Sequence, residues 1–305
     1  MAALSDKNIS YSAGFFILIA MAVGGMMVGG ILSFSVVMAM SGESLSSVSD
    51  IMGNAAYYRE MQIMQSISAI FGFLIPTIFT ANMLSKKPFE LTGFSGRISG
   101  RLILLTVLII ACGLALSGSL GYLSYQLPFP AEWKAVFQKM EESYGKLAVG
   151  LINLDSPFEL AISIVVLALV PAVSEEAFFR GGLQNFLFRS TNRFWLSVII
   201  TSLIFSAIHF SVYGFLSRVV LGIVLGLLFQ YSGRLWLPII AHFINNATAV
   251  IVMYIQKSNG RSLTEIMSDR EGSYIGFLTI PVIVFLFMKF KSASSKTPPT
   301  QEEND

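Results

Sequence analysis

Long runs without a charged residue constrain this chain more than any other feature of its sequence. Residues 11–40 contain no Asp, Glu, Lys or Arg, and further apolar runs follow almost to the C-terminus. A helix crosses the hydrocarbon core of a bilayer with about 20 apolar residues, so such runs predict transmembrane helices. The first run exceeds the roughly 7–15 apolar residues of a signal peptide, and we interpret it as a retained membrane span.

The composition supports a membrane protein. Hydrophobic residues make up 54% of the chain and charged residues 12%, whereas a soluble domain carries about 25% charged residues. The net charge of +2 gives no reason to expect a nucleic-acid partner, and the expected partner is the lipid bilayer. The single cysteine, Cys112, excludes a disulfide within the chain and fits a packing role.

The apolar runs predict an all-α fold, a polytopic transmembrane bundle of about eight helices. The predicted spans are 12–40, 63–84, 101–126, 158–188, 194–212, 216–232, 235–256 and 273–290. In the first span, Gly25 and Gly29 have the spacing that lets two helices approach closely. The connection 127–157 has an amphipathic pattern that predicts a helix on the bilayer surface, and the polar C-terminal tail is predicted to be disordered.

Basic residues predict the orientation of the spans. With the N-terminus inside, the inner connections hold more of the 20 Lys and Arg residues than the outer ones. Lys and Arg are enriched in cytoplasmic loops, so we predict that both termini are cytoplasmic. The expected location is the plasma membrane, with the chain as an integral, multi-pass protein.

Polar side chains interrupt the apolar spans in three short stretches. In chain order, these contain Glu175, Glu176 and Arg180; Phe205 and His209; and His242 and Asn246. An ionisable residue at mid-helix costs about 2.5–3.5 kcal/mol on insertion, so it usually faces an interior cavity and has a function. Two explanations without a functional site are also possible. The acids could lie where their helix ends at the membrane interface, and each histidine could be a buried core residue whose hydrogen bonds are satisfied. The proximity of both histidines of the protein to the two acids favours a shared site.

Helix geometry is consistent with such a site. Glu176 and Arg180 are four residues apart and are expected to pair on one helix face. If the fourth and fifth spans form a hairpin that turns near residues 189–193, Glu175 and His209 both lie roughly 25 Å from the turn. Pro171 is expected to kink the helix just before the acids.

The three stretches resemble the motifs of the CAAX-protease and bacteriocin-processing (CPBP, or Abi) family, which includes the CAAX prenyl endopeptidases of type II. The family pattern is EExxxR, FxxxH and HxxxN, and the chain matches it at Glu175–Arg180, Phe205–His209 and His242–Asn246. The run GxxxGxxxxxSGRLWxPIIAHFxxN also matches. The resemblance covers residues 158–256 and implies an intramembrane endopeptidase.

The resemblance also implies roles for individual residues. Glu175 would activate a water molecule with help from His209, and His242 with Asn246 would stabilise the oxyanion. Glu176 and Arg180 would orient and brace the site, and Phe205 would support it. Ser174 and Ser206 lie nearby, but neither has an evident base to make it a nucleophile.

The family implies that the substrate is a membrane-associated protein or peptide, such as a prenylated protein or a peptide like a pheromone or bacteriocin. We divide the chain into N-terminal helices with a surface segment (1–157), a catalytic core (158–256), and a last span with a polar tail (257–305). These regions are not expected to be separable domains.

Other chemistries stay open at this point. No cofactor is expected, although Glu175, His209 and His242 could bind zinc and leave one coordination position open for water or substrate. The chain lacks the HExxH pair of many zinc peptidases, which favours metal-independent hydrolysis. The alternative functions are a proton-coupled membrane transporter, in which buried Glu and His relay protons, and a bacteriocin-immunity protein that works by binding.

Overall fold

The computed structural model describes residues 4–42, 51 and 54–295, and their regular structure is helical. The chain begins with α1 (Tyr11–Ser41), α2 (Ala55–Leu84), α3 (Gly100–Gln126), α4 (Ala131–Gly150) and α5 (Pro157–Thr191). It continues with α6 (Phe194–Ala207), α7 (Phe215–Ser232), α8 (Trp236–Ser258), α9 (Leu263–Ser268) and α10 (Tyr274–Ser294). A single helical turn, Pro88–Leu91, lies between α2 and α3. Within the described residues, no β-strand forms beyond one isolated bridge between Leu4 and Ser10.

Seven helices are long and apolar enough to cross a membrane, counted within the described residues: α1, α2, α3, α5, α7, α8 and α10. The prediction of an all-α, polytopic membrane protein is therefore confirmed. The helix predicted in the connection 127–157 is present as α4. The polar tail from residue 296 onward lies outside the described residues.

The prediction of a fifth span at 194–212 is wrong in its second half. The helix α6 ends at Ala207, and residues 208–214 form a turn that leads into α7. The turn is closed by Ser206 Oγ, which donates to the carbonyl of Phe215 at 2.7 Å. At about 1.5 Å per residue, α6 is roughly 21 Å long, shorter than the hydrocarbon core of about 30 Å. His209 therefore lies in a recessed turn and not in a span.

Both ends of the described chain lie at one face of the bundle. Asp6 accepts a hydrogen bond from the backbone of the loop between α2 and α3, at 3.0 Å. Arg234, in the turn between α7 and α8, donates to Ser95 of the same loop at 3.3 Å. Near that turn, Lys291 lies 5.5 Å from the ring centre of Tyr231. These contacts place the start of α1 and the end of α10 at the same face. The seven long helices alone would give an odd number of crossings, so this placement requires that the shorter α6 also connects the two faces. That this side is cytoplasmic stays a prediction.

Helix α1 packs closely against α2 through its small residues. A Cβ atom added at Gly29 would lie 2.7 Å from Phe71 Cβ, and one at Gly25 would overlap the carbonyl oxygen of Phe71. Gly24 and Gly30 have open space instead. The packing role predicted for the Gly25 and Gly29 pair is therefore confirmed.

Two apolar clusters surround the site. One joins α1, α2, α5 and α6 around the buried rings of Phe179 and Phe205. The other joins α3, α7, α8 and α10. The N-terminal helices thus share a core with residues 158–256, and the division of the chain into three regions stays a prediction.

Candidate active site

The first motif lies in α5, whose hydrogen bonding changes around the acids. Val165–Leu169 and Ala177–Gln184 are π-helical turns, with the α-helical stretch Val170–Glu176 between them. Pro171 lies near the start of that stretch and has no N–H to donate, which disturbs a regular helix. The disturbance expected at Pro171 thus takes the form of a π turn, a feature that is frequent at functional sites.

Glu176 is the centre of a buried polar network. Its Oε1 atom accepts a hydrogen bond from Arg180 Nη1 at 2.7 Å and from His242 Nδ1 at 2.8 Å. The side chains of Glu176 and Arg180 are completely buried. Buried charges are costly unless they are paired. These two charges are paired, and Glu176 Oε2 and Arg180 Nε have no further hydrogen-bond partner among the described residues. The expected Glu176–Arg180 pair is present, and the bond to His242 links the first motif to the third.

Glu175 faces the other nitrogen of the same imidazole. Its Oε2 atom lies 4.0 Å from His242 Nε2 and has no hydrogen-bond partner among the described residues. Glu175 is 8% exposed. Since His242 Nδ1 donates to Glu176, the Nε2 atom is left to face Glu175. The separation is too long for a direct hydrogen bond, but a water oxygen beside the line that joins the two atoms can lie about 2.8 Å from both.

The ring of Phe205 connects all three motifs. The Arg180 guanidinium carbon lies 4.7 Å from the centre of this ring, in the geometry of a cation–π contact. The imidazole centres of His209 and His242 lie 5.1 Å and 5.8 Å from it. Phe205 is buried, so it holds the two imidazoles and the guanidinium at fixed positions around one apolar ring.

His209 lies just beyond the end of α6, at the edge of the site. Its Nδ1 atom is 2.7 Å from the carbonyl oxygen of Phe205. Because a carbonyl oxygen only accepts, Nδ1 carries the hydrogen, and in a neutral ring Nε2 is free to accept a proton. The pairing of His209 with Glu175 stays a prediction.

Asn246 lies one helical turn after His242 and contacts the irregular part of α5. Its Nδ2 atom donates to the carbonyl of Leu167 at 3.4 Å, and its Oδ1 atom accepts from Asn245 at 3.0 Å. In a regular helix that carbonyl would accept from residue 171, which is a proline. Asn246 therefore donates a hydrogen bond to the Leu167 carbonyl oxygen, to which Pro171 cannot donate because it has no N–H. The second N–H of the amide remains for another acceptor.

Metal binding finds no support in the arrangement of these groups. Within residues 4–42, 51 and 54–295, no three His, Cys, Asp or Glu side chains are placed to hold a metal ion. Glu175, His209 and His242 do not form such a group. The expectation that the protein needs no cofactor stays a prediction.

Comparison with known proteins points to the same segment. Residues 157–248 match the family model described as type II CAAX prenyl endopeptidase Rce1-like. This segment is therefore similar to the type II CAAX prenyl endopeptidases. The resemblance seen in the three motifs is confirmed, since all of them lie within the matched residues.

Two curated proteins of Bacillus subtilis (strain 168) are similar to parts of this chain. One, named "Putative membrane peptidase YdiL", is 30% identical over 95 residues, which is 31% of this chain and 38% of that protein. The other, "Uncharacterized protein YpbD", is 35% identical over 88 residues, or 28% of this chain and 42% of that protein. The alignments span less than half of either relative. No solved structure matches the chain.

Two glycines of the Rce1-like segment have a role that the motifs did not reveal. Arg180 Nη2 donates to the carbonyl of Gly222 at 3.1 Å, and Gln184 Nε2 donates to that of Gly226 at 3.0 Å. A Cβ atom at Gly226 would lie 2.8 Å from Gln184 Oε1. The signal in the sequence was the matching four-residue spacing of the polar pair on α5 and the glycine pair on α7.

Proposed function

We propose that the protein is an intramembrane endopeptidase that hydrolyses peptide bonds of membrane-associated proteins or peptides. The Rce1-like segment and the name of one relative support a membrane protease of the CAAX type. The observation that carries the proposal is the buried Oε2 atom of Glu175, which has no hydrogen-bond partner among the described residues and faces His242 Nε2 at 4.0 Å.

In the proposed reaction, Glu175 takes a proton from water as the water oxygen adds to the carbonyl carbon of the scissile bond. A carboxylate suits this role because both of its oxygens can accept a proton and neither needs an activating partner. His209, whose Nε2 is free to accept, assists in orienting the water. The carbon–nitrogen bond then breaks as Glu175 returns the proton to the leaving nitrogen, which gives a carboxylic acid and an amine.

The oxyanion formed in the first step needs hydrogen-bond donors. The free N–H of Asn246 is one, and His242 is the other when it carries a hydrogen on Nε2. Its Nδ1–H bond to Glu176 fixes the direction in which the ring points. Glu176 in turn is held by Arg180. The network thus orients His242 through a buried ion pair.

The test is cleavage of a fluorogenic membrane peptide by purified protein in liposomes. We expect Glu175→Gln to reduce turnover at least about 100- to 1000-fold, the loss seen when one transition-state contact is removed. Glu142→Gln, which changes an exposed acid on α4, is the matched control and should cleave normally. Near-normal turnover by folded Glu175→Gln protein would exclude Glu175 as the base.

The substrate itself is identified by comparing cells. Proteomes of cells that carry the native protein or the Glu175→Gln variant should differ in membrane-associated proteins or peptides that only the native protein cleaves. The same liposomes report proton flux, which a proton-coupled transporter requires. An immunity protein that acts by binding would keep its phenotype in the Glu175→Gln variant.

A further inference from the structure

The turn that carries His209 has a strained backbone. Phe210, the next residue, has a φ of 51°, in the left-handed region that residues with a side chain rarely adopt. Its side chain is 73% exposed, so packing of the ring does not impose this conformation. Strained residues persist only where their surroundings hold them, and they cluster at functional sites. The contacts of Ser211, the following residue, hold Phe210 in this conformation.

Ser211, the residue after Phe210, is 4% exposed. Its hydroxyl oxygen lies 3.1 and 3.0 Å from the two carboxylate oxygens of Glu141 and accepts from the N–H of Gly214 at 3.2 Å. Its carbonyl oxygen accepts from Arg218 Nη2 at 3.0 Å. A Cβ atom at Gly214 would lie 2.5 Å from that Nη2 atom, so the glycine leaves room for the guanidinium.

Glu141 belongs to α4, which also places the ring centre of Tyr144 5.6 Å from the Arg218 guanidinium carbon. Gly150 is the only buried residue of that helix. Between α4 and the turn lies an apolar cavity of about 560 Å³, lined by Phe137 and Met140 on one side and Phe210 and Phe215 on the other. The Glu141–Ser211 contact thus lies beside this cavity. It fixes the turn through α4, a helix that carries none of the three motifs.

We propose that Ser211 and Glu141 are positioning residues for His209, an inference that rests on the proposed function. Ser211 holds Phe210 in its left-handed conformation, and this conformation directs the chain so that His209 Nδ1 meets the Phe205 carbonyl. Loss of the hydroxyl lets Phe210 relax and releases the imidazole from that contact. Neither residue touches the reacting atoms.

The first test does not depend on activity. The protein has two histidines, so 15N-histidine labelling gives the signals of two rings, which the His242→Gln variant assigns. We expect the His209 ring of the native protein to carry its hydrogen on Nδ1. In Ser211→Ala and Glu141→Ala, the His209 signals should shift towards a mixture of tautomers while those of His242 stay unchanged. Glu142→Ala should change neither ring.

The second test is kinetic. A catalytic group displaced by about 1 Å can lose about 100-fold in rate, so Ser211→Ala should lower kcat by up to about that factor with little change in KM. Ser211→Thr, which keeps the hydroxyl, should restore most of the rate. An unchanged His209 spectrum in both Ser211→Ala and Glu141→Ala would overturn the proposal. If the native protein cleaves no peptide while both variants show the spectral shift, the proposed function alone is refuted.

Discussion

Glu176 Oε1 and His242 Nδ1 lie 2.8 Å apart in the buried interior of the protein. The same oxygen accepts from Arg180. One carboxylate therefore holds both the guanidinium of its own helix and the imidazole of α8. This makes Glu176 the structural link between two motifs. Among the described residues, the Oε2 atoms of Glu175 and Glu176 both have no hydrogen-bond partner, but only that of Glu175 faces His242 Nε2, at 4.0 Å.

Replacing Glu176 should affect stability more than replacing Glu175. Glu176→Gln leaves the buried Arg180 charge without its counter-charge, and removing one partner of a buried pair costs about 3–5 kcal/mol. We expect a lower Tm in detergent together with reduced cleavage. Glu175→Gln is the matched control and should melt close to the native protein. Equal Tm values for the two variants would contradict this division of roles.

The proposed catalytic residues should act as one unit. Glu175→Gln removes the base, and His209→Ala removes the group that assists it. Residues with a shared role are strongly non-additive, so the double variant should cleave little more slowly than Glu175→Gln alone. The measurement is kcat/KM for the native protein, both single variants and the double variant. If the loss of kcat/KM in the double variant equals the product of the two single losses, the two residues act independently.

The contact between α1 and α2 gives a prediction about packing. Gly29→Ala places a Cβ atom 2.7 Å from Phe71 Cβ, and Gly25→Ala places one against the carbonyl of Phe71. Overpacking of this kind costs about 1–3 kcal/mol. Gly24→Ala and Gly30→Ala, which meet open space, are the controls. We expect lower Tm values for the first pair only, and equal melting of all four variants would refute the close approach.

Orientation in the membrane can be measured with reporter fusions. Both ends of the described chain lie at one face, and the basic loops at that face predict that it is cytoplasmic. Fusions before the first helix and after Lys296, which lies outside the described residues, should both read as cytoplasmic. A fusion in the loop after Lys257 should read as external. If one of the two terminal fusions reads as cytoplasmic and the other as external, the chain cannot cross the membrane an even number of times.

Metal independence is also testable. If Glu175 activates water directly, the purified protein should contain no stoichiometric zinc and should cleave its peptide in the presence of chelators. Elemental analysis and chelator titration measure both. About one zinc per chain, with activity lost on chelation and restored by zinc, would replace this chemistry with that of a zinc peptidase.

The sequence predicted the helices and the Glu176–Arg180 pair because both depend on local patterns. Apolar length predicts a span, and four-residue spacing places Glu176 beside Arg180. The bond from Glu176 to His242 could not be predicted this way. It depends on how α5 and α8 pack, across 66 positions of the chain.

The position of His209 shows a second limit. The run from Phe194 to Val212 contains no Asp, Glu, Lys or Arg, so its composition predicts one continuous span. The helix nevertheless ends at Ala207. Its end is held by the contact of Ser206 with Phe215 and by those of Ser211 with Glu141. Such hydrogen bonds of serine join segments that are distant in the sequence, and a hydropathy pattern gives no information about them.

The π turn before Pro171 also affects how α5 tolerates changes in length. A residue removed from a regular α-helix rotates everything beyond it by about 100°, which would turn Glu175 away from His242. A π turn already contains one residue more than an α-helical turn. Deleting one residue within Val165–Leu169 would leave Glu175 on its present face, but it would place Pro171 inside a regular helix, where a proline costs about 3 kcal/mol. The π turn therefore accommodates Pro171 while it keeps Glu175 directed at His242.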